Sequence, residues 1–460
     1  MRQLQIVFSS FCLLLSGSGA FAQANSRADA LNELELSRKL LIGLEETMGP
    51  MNQRLVESLE QVADNLMALN EFDDAHSMLD RALQITRINQ GLYTQDQLPF
   101  LNKKIENHAN QGDWDKARQQ MEHLLWLYQT KQLDFNENLI SRLLQLSNFH
   151  LRTITEDAEA WQAYHFRHVT EIKWMTLGLA ERVWGKSDPR MVPVLYSQVT
   201  QLPRLLVAIE RGGSTGYGLR EIRLGSGIVT ERKAVRRGLY FTGMTLLNTM
   251  QRVYQSADAP NREGLAMSQL YLADWQLLFN RPEEALTGYR LAYRGLIEAE
   301  IEPGLINHLF SQPLVLPAPK FFSSVQQALQ AREGNRVPDE VAGAPGAVTY
   351  LFFKEWSSAF SNVRNPLPAI EMDEESNFAL FSFRLAGLDE VSRWISGRYT
   401  RGVGVVNEAE LLEQTNVPSY PEKNLLERLN MLRFRPKLIE GEPQEVNGLL
   451  QYHLAADTFF

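Results

Sequence analysis

Two histidines and a glutamate at helical spacing are the residues of this chain best suited to chemistry. His165, His168 and Glu171 follow one another at three-residue intervals, which places them on one face of a helix. With His150 from a neighbouring helix, they would suit a metal ion bound by imidazole and carboxylate groups. Aromatic neighbours such as Trp161 are more typical of a packed or surface region, so a metal-dependent enzyme is kept only as an alternative.

The rest of the sequence offers no complete catalytic motif. The glycine-rich stretch 212–218 lacks the Gly-Lys-Ser/Thr ending of a phosphate-binding P-loop, and no serine elbow of a hydrolase occurs. Cys12 is the only cysteine, and it lies in the amino-terminal apolar run, so no thiol remains elsewhere for a nucleophile or a metal site. We therefore predict a non-catalytic protein without a cofactor or a metal.

The first 22 residues have the composition of an export signal. Arg2 precedes an apolar run over residues 6–15, and Ala20-Phe21-Ala22 provides the small residues of a cleavage site. The apolar run is about half of the ~20 residues that a membrane-spanning helix requires. We expect cleavage after Ala22, a periplasmic location and no integral membrane segment.

Composition limits the class of partner. The chain has 460 residues, of which 44% are hydrophobic, so it can form sizeable cores and more than one domain. Its 55 acidic and 46 basic residues give a formal net charge of -9, and this sign disfavours general binding to nucleic acid or to anionic lipid. The expected partners are other envelope proteins or peptides, including outer-membrane proteins.

An internal repeat organises much of the chain before residue 303. Three segments share a small anchor residue, a turn residue five positions earlier and, three positions earlier, a residue that can pack its ring across the turn. The anchors are Ala75, Ala117 and Ala285, the turn residues are Asn70, Gly112 and Asn280, and the residues at the third position are Phe72, Trp114 and Pro282, of which Pro282 departs from the aromatic pattern and would open the next helix instead. Further alanines at helix-crossing positions are Ala63, Ala82, Ala273 and Ala292. Because asparagine and glycine best tolerate the left-handed conformation that ends a helix, each segment predicts two helices joined by a tight turn.

This unit resembles the tetratricopeptide repeat, in which small residues let two helices approach closely. The first two anchors are 42 residues apart (117 minus 75), against the usual ~34, which is similar to the long repeats of kinesin light chains. Ile105 departs from the pattern, since a small residue is expected there. The resemblance implies a mostly α solenoid of helical hairpins over residues 27–302, interrupted by a glycine-rich loop at 212–227.

The first helix of each hairpin normally lines the concave face of such a stack. By register, this face carries Glu57, Glu60 and Asp64 in the first unit, Asn102 and Glu106 in the second, and Leu270 and Asp274 in the third. Such an acidic face would favour a basic or amino-terminal peptide. The alternative is that these carboxylates are simply solvated. A basic run, 220–237, likewise predicts either a surface for an acidic partner or a solvated helix face.

The last third of the chain has a different character. Prolines punctuate residues 303–375, which we interpret as a connecting segment. Residues 376–460 predict strands at 378–385 and 402–406, a helix after residue 421 and a last strand at 446–454. These elements predict a separate small α+β domain.

A motif lies between that helix and the last strand. It reads Arg433-Phe434-Arg435-Pro436, with Gly441 following. With the surrounding elements it resembles the carboxyl-terminal domain of TonB-type energy transducers, in which Phe434 would pin the helix end to the sheet, Pro436 would stop the helix and Gly441 would permit the turn. The resemblance implies a domain that recognises a partner by adding the partner's strand to a sheet edge.

These observations predict a periplasmic adaptor, in which the repeat face holds one protein and the TonB-like domain holds another. One alternative is a metal-dependent enzyme around His165 and His168. The other is a TonB-like domain that serves only as a structural cap on the repeats.

Overall fold

The computed structural model shows a mostly helical protein with a few small sheets. It describes residues 19–129, 135–211, 222–224, 227–229, 232–256, 260–333, 349–354, 378–387, 393–395, 398–414 and 421–453. The chain divides into two compact units, Met1–Leu146 and Ser147–Phe460. The apolar run of the predicted export signal lies outside the described residues, so cleavage after Ala22 stays a prediction.

The first unit is built from helices. They are α1 (Gly19–Met48), α2 (Leu55–Ala68), α3 (Phe72–Gln90), α4 (Leu98–Gln111), α5 (Trp114–Gln129) and α6 (Glu137–Glu156), the last of which continues into the second unit. Helix α2 packs against α3 and α4 packs against α5. We name these pairs hairpin 1 and hairpin 2.

The second unit begins with further helices and contains the third repeat. Its helices before residue 303 are α7 (Gln162–Trp184), α8 (Met191–Arg211), α9 (Arg232–Ser256), α10 (Arg262–Leu278) and α11 (Pro282–Glu298). Helices α10 and α11 pack together as hairpin 3. Among the helices of the described residues, none is long and apolar enough to cross a membrane.

The same backbone turn closes the first helix of all three hairpins. Asn70, Gly112 and Asn280 have φ values of 63°, 79° and 58°, so the predicted left-handed conformation is confirmed. In each turn the following residue donates its backbone N–H five residues back, as in the bond of 2.9 Å from Glu71 to Leu66. This pair of features is the Schellman motif, which satisfies carbonyl groups at the helix end. The next helices begin at Phe72, Trp114 and Pro282, three residues before the anchors at which the repeat places their start.

Small residues sit where the helices of a hairpin cross. The anchors Ala75, Ala117 and Ala285 are fully buried, and so are the crossing alanines Ala63, Ala82, Ala273 and Ala292. In hairpin 3, a Cβ atom added at Gly288 would lie 2.7 Å from the Cβ of Ala273. Larger side chains at these positions would force the two helices apart. Ile105 is also fully buried, so hairpin 2 accommodates a larger residue at its departure from the pattern.

The predicted glycine-rich loop at 212–227 differs from the structure at its end. Strands β1 (Ile222–Leu224) and β2 (Gly227–Val229) pair antiparallel, with Leu224 opposite Gly227. The β-branched residues Ile222, Ile228 and Val229 favour this extended pairing, which the glycine count concealed. Residues 212–220 lie outside the described residues.

Residues after 302 form helices and small sheets. The helices are α12 (Pro303–Leu309), α13 (Val325–Glu333) and α14 (Glu422–Met431). The strands are β3 (Leu314–Leu316), β4 (Thr349–Lys354), β5 (Phe378–Leu385), β6 (Arg393–Ile395), β7 (Arg398–Arg401), β8 (Val406–Gln414), β9 (Arg433–Arg435), β10 (Leu438–Ile439), β11 (Glu442–Pro443) and β12 (Val446–His453). Strands β5 and β12 match the predicted positions closely, whereas the strand expected at 402–406 begins only at Val406.

The main sheet has the strand order β4, β12, β5, β8. Strand β12 pairs antiparallel with β5 and parallel with β4. One face of the sheet forms a core with α14, in which Phe381, Phe383, Leu425 and Leu429 are buried. Helix α14 therefore covers the sheet through the apolar stripe that the sequence predicts.

The segment 303–375 differs from the predicted connector. Its strand β4 adds to the main sheet beside β12, and its strand β3 pairs with β9 in the register Val315 opposite Phe434. Prolines end helices and strands but do not prevent short elements from pairing between them. The structural division at residue 146 also lies far from the boundary predicted after Glu302.

The left-handed turn of hairpin 2 gives a stability prediction. An alanine at Gly112 meets no atom within 4 Å, so the cost of Gly112→Ala comes from the backbone conformation alone and should be about 1 kcal/mol. Gly178 in α7 is an exposed helical glycine with the same open surroundings, and Gly178→Ala should stabilise by roughly 0.5–1 kcal/mol. Urea unfolding measures the change in the free energy of unfolding for each variant. Equal changes in Gly112→Ala and Gly178→Ala would contradict the left-handed turn at Gly112.

Candidate functional site

The first helices of hairpins 1 and 2 carry the predicted acidic face, which we define as Glu57, Glu60, Asp64 and Glu106. Glu57 is exposed and Glu106 is half-buried. The side chains of Glu60 and Asp64 are 31% and 52% exposed. These carboxylates are thus accessible along two neighbouring helices, as the register predicts.

Lys103 is built into this face. Its ammonium nitrogen lies 2.8 Å from Glu60 Oε1 and 2.5 Å from Asp64 Oδ2, so it links α4 to α2. The Lys103 side chain is only 9% exposed. Because a buried cation needs carboxylate partners, Lys103 holds the carboxylates of Glu60 and Asp64 close to its ammonium group. Two of the four carboxylates contact this one ammonium group, so the four face residues and Lys103 together carry a net negative charge.

Asn102 of α4 connects this helix to α6 within the first unit. It is 2% exposed, and its Nδ2 donates a hydrogen bond to Gln145 Oε1 of α6 at 3.3 Å. The sequence predicts an open surface position for Asn102, whereas the structure places it between helices. Its amide group therefore packs α4 against α6 and does not add to the exposed surface.

Asp274 in hairpin 3 departs most clearly from the predicted face. The sequence places Asp274 and Leu270 on an open concave surface, but they are 4% and 0% exposed. Arg435 of β9 binds Asp274 through two parallel contacts, Nε to Oδ1 at 2.9 Å and Nη2 to Oδ2 at 2.5 Å. The carboxyl-terminal segment covers α10 here, so Asp274 is not available to another protein.

Two tyrosines complete the buried ion pair. Tyr289 donates its hydroxyl hydrogen to Asp274 Oδ1 at 2.9 Å, and the Arg435 guanidinium lies 5.3 Å from the centroid of the Tyr271 ring. Burial, and then the charge of Asp274, raises the pKa of Tyr289 well above its usual value. Burial likewise raises the pKa of Tyr271 to about 12. Both phenols therefore stay protonated. The Tyr289 hydroxyl donates a hydrogen bond to Asp274 and brings no further charge to the ion pair.

The neighbouring residues of the motif hold the same junction together. Arg433 donates to Asn280 Oδ1 from Nε and Nη2 at 3.2 and 3.0 Å, which ties it to the turn of hairpin 3. Phe434 is fully buried and stacks on Phe383 of β5 with ring centroids 5.8 Å apart. Phe434 thus anchors the end of α14 to the sheet, in the position that the motif predicts.

Pro436 and Gly441 occupy the turn after the motif. Pro436 is buried directly after β9, and Gly441 has φ of 84° between the paired strands β10 and β11. An L-residue would be strained at Gly441. The predicted turn is therefore present.

The sheet offers β8 as one outer strand. In the described residues β8 pairs with β5 alone, and its Leu412 is 50% exposed. Arg384 of β5 binds Glu408 at 2.9 Å, while Glu410 is exposed on the same strand. The backbone groups on the outer side of such a strand can pair with an added strand.

The histidine cluster is a buried hydrogen-bonded group. His165 Nε2 lies 3.0 Å from Asp157 Oδ2, and its Nδ1 lies 3.0 Å from Nδ1 of His150. The His150 and His168 rings stack with centroids 4.9 Å apart, and His168 Nδ1 is 3.7 Å from Glu171. Burial, and then the nearby His165, lowers the pKa of His150 well below its usual value. His150 is therefore uncharged, and its Nδ1 shares a hydrogen bond with Nδ1 of His165.

This arrangement gives no support to the metal alternative. Within the part of the chain that the structure describes, no group of three or more histidine, cysteine, aspartate or glutamate side chains could hold a metal ion. Spacing along α7 brings His165 and His168 onto neighbouring turns, but the ring nitrogens of His165 are directed to His150 and Asp157.

Comparisons with known proteins add little. No protein-family model matches this sequence, and no curated protein matches it. Among solved structures, the crystal structure of BtubC (BKLC) from P. vanneervenii is similar with a TM-score of 0.32 and 15% sequence identity, over 60% of this chain and 89% of that chain. At this TM-score the similarity defines neither a family nor a function.

Sequence reasoning missed Lys103 and Arg435. The sequence contains a signal for Arg435, because Arg433 and Arg435 lie on either side of Phe434, an aromatic residue expected to be buried. Cations in such a position need carboxylate or carbonyl partners. No local pattern pointed to the partner, since Asp274 lies 161 residues earlier.

The buried ion pair gives a second stability prediction. Asp274→Asn leaves the buried Arg435 cation without its carboxylate, which should cost about 3–5 kcal/mol in urea unfolding. Tyr289→Phe removes one hydrogen bond and should cost about 1 kcal/mol. The control is Glu442→Gln, which breaks an exposed pair with Arg290 and should cost less than about 1 kcal/mol. An Asp274→Asn cost no larger than the control's would show that the pair is not buried in solution.

A paired histidine contact gives a pH prediction. His76 Nε2 and His108 Nδ1 lie 2.8 Å apart between α3 and α4. Burial lowers the pKa of both, that of His108 to about 4, and each is further lowered by nearby positive charge, from Lys104 for His76 and from His76 for His108. Because the folded pKa lies below the unfolded value of about 6.5, this stability is present above pH 6.5 and is lost as pH falls towards about 4.

Thermal unfolding across that pH range tests the histidine pair. The Tm of His108→Gln should fall less on acidification than that of the unaltered protein. His308→Gln, at an exposed histidine of α12, should behave like the unaltered protein. Identical pH dependence in all three proteins would rule out the pair as a source of acid sensitivity.

Proposed function

We propose that this chain is a non-catalytic periplasmic adaptor that binds other envelope proteins. Its two hairpins of the first unit are TPR-like, and their acidic face holds one partner. The observation that carries this proposal is the row of carboxylates Glu57, Glu60, Asp64 and Glu106 on α2 and α4, beside which Lys103 brings one positive charge to Glu60 and Asp64. Complementary charge gives such a surface specificity for a basic segment and speeds its association.

The periplasmic location rests on the sequence alone. The apolar run at 6–15 and the Ala20-Phe21-Ala22 site support export, and the cysteine-free chain after residue 12 is compatible with an oxidising compartment. The proposal has no step that requires a cofactor or a metal.

The carboxyl-terminal part is proposed as a TonB-like domain, with a second partner on the outer edge of β8. The order of strands, helix, Phe434 anchor and Gly441 turn supports the resemblance. In the described residues β8 pairs with β5 alone, so the backbone groups on its outer side are those that an added strand would pair with.

A structural role for this part is the second candidate. The contacts of Arg435 with Asp274 and of Arg433 with Asn280 direct the motif towards hairpin 3, as a cap would require. A protein that ends at Glu375 would lose both contacts together with β5, β8 and β12, so truncation would damage hairpin 3 as well as remove the domain. Point variants separate the two roles.

Capture of envelope proteins tests the adaptor. Protein beginning at Gln23 would be immobilised and exposed to periplasmic and outer-membrane extracts, then compared with Glu57→Lys and Leu412→Lys. A partner of the acidic face should be recovered at least about fivefold less with Glu57→Lys, the effect of a loss of about 1 kcal/mol. A partner of the β8 edge should be lost with Leu412→Lys alone.

The matched control is Glu71→Lys, at an exposed carboxylate in the turn of hairpin 1. It makes the same charge change away from the face and should leave recovery unaltered. Recovery that is equal for all variants would remove both surfaces from the proposal. If every partner were lost with Leu412→Lys and none with Glu57→Lys, all binding would be assigned to the edge of β8. Neither hairpin of the first unit would then be supported as a binding site.

A further inference from the structure

Helix α1 repeats the pattern of α3, the second helix of hairpin 1. Gly49 and Gly91 follow the ends of these two helices with φ of 82° and 100°. Each donates its backbone N–H to the carbonyl oxygen four residues earlier, at 2.9 Å. The two glycines are 42 residues apart (91 minus 49), which is also the separation of the first two anchors. Helix α1 therefore corresponds to a second helix, one repeat before α3.

Two positions are buried in both helices. Ser37 and Leu41 of α1 stand 42 residues before Leu79 and Leu83 of α3, and all four are buried. On this side α1 packs against α2, and Asn65 Nδ2 donates a hydrogen bond to Ser37 Oγ at 3.2 Å. Helix α1 thus contacts the first helix of the following hairpin, as the second helix of a repeat does.

Two other positions are buried in α3 alone. Ala82 and Ile85 are fully buried, whereas Leu40 and Gly43, which stand 42 residues earlier, are exposed, Leu40 by 53%. A Cβ atom added at Gly43 would meet no atom within 4 Å. Ala82 lies where α3 packs against α2, its own first helix. Leu40 therefore faces the side on which a first helix would pack against α1.

We define the open face of α1 as Leu36, Leu40, Gly43 and Thr47, which lie on one side of the helix by their spacing. All four are exposed, Leu36 by 67%. The outer helices of a repeat stack normally present polar side chains, which keep its ends soluble. Two exposed leucines beside a glycine instead suit close packing against another helix.

A second copy of α1 fits the open face. Consecutive helices of a hairpin run antiparallel, and a two-fold axis places α1 of a second copy antiparallel to α1. When Leu40 lies opposite Gly43 of the second copy, Leu36 lies opposite Thr47, because both pairs are centred between residues 41 and 42. One register thus sets both leucines against smaller residues, which lets the two helices approach without overpacking.

Charges beside the open face agree with this register. Lys39 and Glu46 are exposed and stand seven residues apart, so they lie on the same side of the face. A two-fold axis brings each side of α1 against the same side of its copy. Lys39 then lies opposite Leu44 of the second copy, only about 3 Å along the helix axis from Glu46. Lys39 also pairs with Glu35 of its own helix at 2.6 Å. Opposite charges would therefore meet on each side of the two-fold axis and fix the direction of the second helix.

We propose that two copies of the chain associate through the open faces of their α1 helices, antiparallel about a two-fold axis. This interface lies outside both the acidic face and β8, so it goes beyond the proposed adaptor and its test is independent of that function. Association brings two acidic faces into one complex. A partner with two basic segments then binds the pair more tightly than it binds a single chain.

Sedimentation velocity at increasing protein concentration measures the association of the full chain and of the chain that begins at Gln23. Both should show an equilibrium between monomer and dimer. Leu36→Glu and Leu40→Glu should each raise the Kd of the dimer about tenfold or more, because every dimer loses two buried leucines. Circular dichroism should show unaltered helix content, since both leucines are exposed in the single chain.

The matched control is Ile42→Glu on another side of α1. Ile42 is 55% exposed, close to the 53% of Leu40, and it lies outside the open face. The same apolar-to-acidic change at Ile42 should leave the Kd of the dimer within about twofold of that of the unaltered chain.

Exchange of the flanking charges tests the register. Lys39→Glu and Glu46→Lys should each raise the Kd of the dimer about threefold, because like charges then meet across the axis. The double variant restores opposite charges and should return the Kd to within about twofold of its original value. A double variant weaker than both single variants would overturn the antiparallel register.

The remaining outcomes decide what covers the open face. A chain that stays monomeric at every concentration, or a dimer that tolerates Leu40→Glu as well as it tolerates Ile42→Glu, would overturn the proposal. A dimer formed by the full chain alone would assign association to the segment before Gln23 and also overturn it. If a monomeric chain captures an envelope protein that Leu40→Glu loses, the face binds that protein and not a second copy. Partner loss with Glu57→Lys in a monomeric chain would leave the adaptor supported without this interface.

Discussion

The ion pair between Asp274 and Arg435 fixes the organisation of the second unit. It joins residues 161 positions apart, and both side chains are almost wholly removed from water. Such a pair is tolerable only when further donors complete the shell of each charge, which Tyr289 does for the carboxylate. The pair therefore demands that hairpin 3, β9 and the strands beside β9 fold as one body. A connector that let them move apart would leave two buried charges without partners.

The same helix position has different consequences in the two units. In the second unit, Asp274 on the first helix of hairpin 3 is bound by Arg435 of the same chain. The surface of that helix around Asp274 is therefore covered. In the first unit, Asp64 keeps half of its surface and shares a lysine with Glu60. Lys103 lowers the mutual repulsion of neighbouring carboxylates and links two helices, so the hairpins can carry concentrated negative charge at little cost to stability.

Local signals predicted much of the fold, and distant contacts explain what they missed. The left-handed turns at Asn70, Gly112 and Asn280 depend on residues within one helical turn, so their sequence pattern is sufficient. The apolar run at residues 378–385 likewise predicts strand β5 from sequence alone. By contrast, β4 joins the sheet beside β12, and Asp274 meets Arg435, through contacts that no short window contains. Glu57 and Asp64 could be placed on a surface by register alone, whereas Asn102 could not, because its neighbour Gln145 lies on another helix.

The central place of β12 in the main sheet has a consequence for the order of assembly. Strands β4 and β5 have no direct hydrogen-bonded contact in the described sheet, since β12 lies between them and reaches to His453. During synthesis, β5 can pair with β8 on one side, but β4 and the other side of β5 must wait for β12, the last described part of the chain. Until it emerges, their unpaired backbone groups are exposed to other extended chains, which makes aggregation the characteristic hazard of an interrupted or shortened product.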